Sequence, residues 1–130
     1  MDKFFKLKEN NTTVRTEIVA GLTTFFAMAY IVFVNPDQVA AGGANGWLAG
    51  AGADATALGR IWNAVYIASI LAAIVGTLLY AFYAKLPFAQ SGGMGLNSFF
   101  FVSFVLPEVL KGAEGDVISG YQTGLVIILI

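Results

Sequence analysis

Leu86-Pro87-Phe88-Ala89-Gln90-Ser91-Gly92-Gly93-Met94-Gly95-Leu96-Asn97-Ser98-Phe99-Phe100-Phe101-Val102-Ser103-Phe104-Val105-Leu106-Pro107 carries no charged residue. It can cross a hydrocarbon core of about 30 Å only if all of it is helical. Pro87, Gly92, Gly93 and Gly95 oppose a continuous helix through its first ten positions. Only Gly95 to Leu106 is good helix, and about twelve residues at 1.5 Å rise give roughly 18 Å. The rest of the span falls to Pro87–Gly93 in an extended form. Backbone that is not helical survives at membrane depth only when buried in protein or lining a wet cavity.

An extended stretch running into a half-helix is how transporters build binding sites near the bilayer midplane. The helix N-terminus offers N–H donors from Gly93, Met94, Gly95 and Leu96. Asn97, one turn in, adds an amide with both donor and acceptor. That pair suits the N–H/C=O edge of a planar heterocycle, as asparagine suits an adenine edge. Phe88 and the Phe99–Phe101 run supply rings for stacking. The competing reading is a kinked helix whose glycines serve packing, with Asn97 bonded to a neighbouring helix.

The rest of the chain has the composition such a segment requires. Of 130 residues, 58% are hydrophobic and only 12% charged, about half the charge of an ordinary soluble domain. Mean hydropathy is +0.76, so an integral membrane protein is expected. A net charge of −1 argues against a nucleic-acid partner. There is no cysteine and no histidine, which removes thiolate chemistry and the commonest general base and metal ligand. Amides, hydroxyls, carboxylates and backbone remain.

The charges divide the chain into a cytoplasmic N-terminal segment 1–17, a first transmembrane helix 18–36, an external Gly/Ala-rich loop 37–60 and a second transmembrane helix 61–84. The broken third segment 86–107, an external loop 108–119 and the start of a fourth helix 120–130 complete it. The last segment ends inside an apolar run, so the chain is expected to be the N-terminal part of a longer protein. The first apolar stretch exceeds a signal-peptide core and is followed by further membrane segments, which favours a retained helix. Lys3, Lys6, Lys8 and Arg15 precede it and Lys85 follows the second helix, whereas Asp37, Asp54, Glu108, Glu114 and Asp116 crowd the other loops. The Lys/Arg bias puts the N-terminus in the cytoplasm, where the Asn10 and Asn11 glycosylation sequons carry no meaning.

Thr12 or Thr13 is expected to cap the first helix, with Glu17 near its positive end, and Asn35-Pro36-Asp37 to stop it. Thr23 and Thr24 are hydroxyls at mid-membrane depth. They either bond back to carbonyls one turn earlier or face a substrate. Residues 37–60 have no sustained apolar period and are expected to form a flexible loop. Gly42-Gly43-Ala44-Asn45-Gly46 lacks the preceding strand and the Lys-Ser/Thr of a phosphate loop. Ala64, Ala68, Ala72 and Gly76, four apart, give the second helix a small-residue face for close packing. The sum is an all-α polytopic membrane protein whose third segment pairs a short extended strand with a half-helix.

Phe5-Lys6-Leu7-Lys8-Glu9-Asn10-Asn11-Thr12-Thr13-Val14-Arg15-Thr16-Glu17-Ile18-Val19-Ala20-Gly21-Leu22-Thr23-Thr24-Phe25-Phe26-Ala27-Met28-Ala29-Tyr30 and its continuation to Pro36 strongly resemble the start of bacterial purine permeases. These form the azaguanine-type branch of the nucleobase:cation symporter-2 family. Gly93-Met94-Gly95-Leu96-Asn97-Ser98-Phe99-Phe100 resembles that branch's Gly-Met-Gly-Leu-Asn-Ala-Phe-Phe signature on its third segment. Ala89-Gln90-Ser91-Gly92 departs from a run that in relatives often ends Ala-Pro-Gly.

The resemblance implies an inverted-repeat transporter fold, with broken third and tenth segments meeting at the substrate. It implies proton-driven import of adenine, guanine or hypoxanthine across the plasma membrane, with Asn97 as the base-binding asparagine and Thr23 and Thr24 near the site. The expected partners are a purine nucleobase, a proton, the lipid bilayer and a second copy in a homodimer; no cofactor, metal or catalytic residue is expected. No carboxylate lies inside the membrane stretches, so the group that couples to protons is expected beyond residue 130. The rival readings are a same-fold transporter of an anion or of xanthine or uracil, and a non-transporting membrane subunit.

Overall fold

In the computed structural model, residues 12–50, 52–86, 88–110 and 116–130 are described. The Lys3, Lys6 and Lys8 leader, Pro87 and the 111–115 part of the second external loop lie outside them. Helix α1 spans Val14–Ala29, and the side chain of its N-cap Thr13 accepts from the Thr16 amide at 3.3 Å. Glu17 stands in the first turn, where its charge complements the helix dipole. The ladder is interrupted at Tyr30 and resumes as α2, Ile31–Val39.

Asn35-Pro36 does not end the helix, contrary to the expectation from sequence. Pro36 sits inside α2, and the chain stays helical to Val39. A proline there costs a hydrogen bond and a clash, about 3 kcal/mol, and packing outweighs it. Pro36 and Val39 are buried, the Ala40 amide bonds to the Pro36 carbonyl at 2.8 Å, and Asp37 Oδ1 accepts from Trp62 Nε1 at 2.6 Å. The turn comes later, where Ala41, Gly42 and Gly43 all adopt positive φ. Gly46 comes so close to this turn that a Cβ there would lie 1.7 Å from the Ala41 carbonyl oxygen. Only glycine fits.

Residues 37–60 correct a second expectation. They hold the end of α2, a 3-10 turn at Gly43–Asn45, the short helix α3 at Trp47–Gly50, and the start of α4. Helix α4 spans Ala55–Leu79, six residues ahead of the expected Ile61, because Asp54 caps it by accepting from the Thr56 and Ala57 amides at 2.8 and 3.3 Å. Ala40, Ala41, Leu48, Ala57 and Leu58 are buried. Small residues draw the backbone in, and the two leucines fill the space.

Helix α4 continues through a wide π-turn, Tyr80–Ala84, and ends at left-handed Lys85. Leu86 and residues 88–92 are not helical, and Gly93 is the N-cap of the next helix. Helix α5 spans Met94–Phe100 and passes through a second π-turn, Phe101–Val105, into α6, Leu106–Val109. Pro107 lies inside this last turn rather than ending the helix. Helix α7, Val117–Leu129, is capped by Asp116, which accepts from the Ile118 amide at 3.1 Å. No β-strand occurs among the described residues, so the 88–93 stretch is irregular chain without a strand partner.

The core lies at one end. Val39, Ala41, Leu48, Leu58, Phe100, Phe101, Val105, Val117 and Tyr121 form it. Away from it, α1 and most of α4 present Phe25, Phe26, Leu71, Ile74 and Leu78 outward. Val14–Val39 and Ala55–Ala84 are each long and apolar enough to cross a bilayer. A helix apolar on all sides belongs in lipid or in a larger bundle, and the protein is membrane-embedded and all-α.

Candidate functional site

Three polar side chains from three separate elements meet beside the core. Asn97, in the first turn of α5, donates its amide N–H to Asn35 Oδ1. Asn35 in turn donates through Nδ2 to Ser69 Oγ on α4. Asn35 is only 9% exposed, so both halves of its amide are matched where leaving either unpaired would cost about 1–3 kcal/mol. Neighbouring Gly92 leaves room for it: a Cβ at Gly92 would stand 3.2 Å from Asn35 Oδ1.

The 88–93 stretch is fixed by α4. The Gln90 amide donates to Thr77 Oγ1 at 3.1 Å, which satisfies one backbone donor that a helix would otherwise have used. At Gly76 a Cβ would lie 2.7 Å from Gln90 Cγ. Of the small-residue face expected on the second helix, Gly76 therefore receives the broken segment, while Ala64, Ala68 and Ala72 stay exposed. Ser91 Oγ is buried with no partner among the described residues.

Gly93 caps α5 through backbone alone, and the first helical bond runs from the Asn97 amide to the Gly93 carbonyl at 3.4 Å. The amides of Met94, Gly95 and Leu96 therefore stand free at the helix start, and Gly95 and Leu96 are exposed. Thr23 and Thr24 bond back to the Val19 and Ala20 carbonyls at 2.8 and 3.0 Å, which was one of the two readings open for them. Thr24 nonetheless lines an open groove of about 880 Å³ between α1 and α4. Asn35, Ser69, Gln90, Ser91 and Phe88 line the same groove. Phe88 meets Tyr80 edge-on, with centroids 6.3 Å apart.

The structure thus joins Asn97 to two residues that the sequence did not single out. Asn35 is hidden there by its place before a proline, where it resembles a stop signal. Ser69 and Thr77 are the only Ser/Thr hydroxyls in the 61–84 run and stand eight positions apart. That spacing keeps them within a quarter turn on a helix, which is a usable signal.

No family model matches the chain, and no solved structure matches it. The adenine permease AdeP of Escherichia coli is 38% identical over 110 residues, covering 85% of this chain and 21% of that protein. The adenine permease AdeQ of the same organism is 35% identical over 125 residues, 96% of this chain and 22% of that protein. The guanine/hypoxanthine permease PbuO of Bacillus subtilis is 43% identical over 95 residues, 73% of this chain and 18% of that protein. The chain spans about a fifth of the length of these curated relatives.

Proposed function

Because this chain belongs to the purine permease branch of the nucleobase transporter family, we propose that it supplies one wall of a purine-binding site in a secondary active transporter. One observation supports this reading above the others. Asn97 stands in the first turn of a half-helix that follows irregular backbone inside an apolar protein, and a chain of hydrogen bonds ties its amide to two other helices. Buried amides tied into networks hold fixed donor and acceptor directions, as recognition of a heterocycle edge needs. Gly93, Met94, Gly95 and Leu96 shape the helix start beneath the base. Phe88 stacks at its rim, and Thr23 and Thr24 flank the approach from α1.

The substrate is a base of the hypoxanthine, guanine or adenine class, imported with a proton. The N-terminus lies in the cytoplasm, the protein is multi-pass and it pairs as a homodimer.

Competition uptake in cells expressing the full-length protein tests the substrate class. Radiolabelled hypoxanthine uptake should be blocked by adenine or guanine at far lower concentration than by uracil, and a protonophore should abolish accumulation. Inhibition by uracil or an inorganic anion, with none by purines, would overturn the assignment.

A further inference from the structure

Helix α4 looks like a structural helix, yet it ends the chain of hydrogen bonds that begins at Asn97. We propose that Ser69 is a positioning residue: through Asn35 it sets the orientation in which the Asn97 amide meets the base. The inference rests on the proposed base contact of Asn97 and adds to it.

The geometry runs in one direction. Ser69 Oγ accepts from Asn35 Nδ2, which anchors the Asn35 side chain on α4 with its oxygen towards Asn97. That oxygen accepts from Asn97 Nδ2, so one amide hydrogen of Asn97 is committed to the protein. The Asn97 carboxamide oxygen accepts no hydrogen bond among the described residues. Without the Ser69 hydroxyl, Asn35 loses its anchoring partner on α4 and is free to turn its amide over and present N–H to Asn97. Asn97 would then turn as well, exchanging the acceptor and donor it shows a ligand. Hypoxanthine and adenine differ in this respect, since N1–H and C6=O in one are replaced by N1 and C6–NH2 in the other. An orienting hydroxyl two residues removed from the ligand is therefore a means of discriminating between bases.

The same hydroxyl lies about two helical turns before the Thr77–Gln90 and Gly76–Gln90 contacts on one helix. Helix α4 therefore supports both parts of the broken segment: its irregular backbone through Thr77, and its first helical turn through Ser69.

The experiment compares Ser69→Ala, Ser69→Thr and Asn97→Ala, alone and with Ser69→Ala added to Asn97→Ala, in the full-length protein, with uptake normalised to inserted protein. In Ser69→Ala the half-saturation for the best base should rise roughly 2- to 10-fold. Maximal uptake per molecule should hold, and the gap between hypoxanthine and adenine should narrow. Ser69→Thr, which keeps the hydroxyl, should restore both. Adding Ser69→Ala to Asn97→Ala should change nothing further, because the residue acts through the one already removed. An unchanged half-saturation and discrimination in Ser69→Ala would overturn the inference, as would a shift of equal size in the Asn97→Ala background. If Asn97→Ala itself left half-saturation unaltered, the base contact would fall and this inference with it. A normal Asn97 effect beside a silent Ser69 would defeat the inference alone. Should Ser69→Ala insert poorly, Ser69→Cys, which keeps the volume and weakens the acceptor, gives the same comparison.

Discussion

Asn97 and Tyr121 are both polar side chains in apolar helices, and their surroundings assign them different work. Tyr121 is 6% exposed and donates its hydroxyl to the Val39 carbonyl, tying α7 to the end of α2. Tyr121→Phe removes one hydrogen bond and leaves a carbonyl unpaired, a loss of about 1–3 kcal/mol. The aggregation midpoint of the detergent-solubilised protein should fall, with the half-saturation of the surviving molecules unchanged. Asn97→Ala should move half-saturation as well as stability. It deprives a base of a matched polar edge at about 1–3 kcal/mol, roughly 5- to 150-fold in apparent affinity, and it lowers abundance because Asn35 Oδ1 loses its partner. Reduced abundance with unaltered half-saturation would instead make Asn97 a packing residue. Asn97 could be singled out in the sequence because an amide stands out in an apolar run beside glycines. Asn35 was not, since local rules attach it to Pro36 and only the folded chain supplies its partners, 62 and 34 residues away.

Among the elements, the sequence identified the break in the third segment from residue chemistry alone, because Pro87, Gly92 and Gly93 gather there within seven positions. It misjudged element ends where distant packing decides. Helix α2 passes Pro36 because Val39 and Pro36 are buried, and the Gly/Ala-rich connection folds because Leu48 and Leu58 have a core to enter. Neither fact has a local signature. The contact between α4 and the broken segment gives an element-scale prediction. In Gly76→Val the added side chain would collide with Gln90, whose Cγ would lie 2.7 Å from the new Cβ. Overpacking of this kind costs typically about 1–3 kcal/mol. The yield of inserted protein should drop, and Thr77→Val, which takes away the acceptor for the Gln90 amide, should lower it in the same way. Full yield and full uptake in both would mean that α4 does not hold the segment.

For the whole molecule, orientation is the first measurable quantity. A cysteine at exposed Asn45 should react with an impermeant maleimide in intact cells, and one at Lys8 should react only after permeabilisation; the opposite pattern would reverse the proposed topology. The uneven distribution of packing has a mechanical consequence. Because the core gathers at one end, that end is a fulcrum and the helices leaving it are levers. Val14–Val39 is 26 residues long, about 39 Å, so a tilt of about 5° at the core sweeps its far tip through about 3 Å. Asn35, four residues from the pivot, about 6 Å, travels only about half an ångström. Within this part of the protein, such a tilt would widen or narrow the mouth between α1 and α4 while the hydrogen bonds around Asn97 stay closed. Spin labels at Ile18 and Leu78 should report a broad spread of separations, and labels at Gln38 and Ala57 a narrow one.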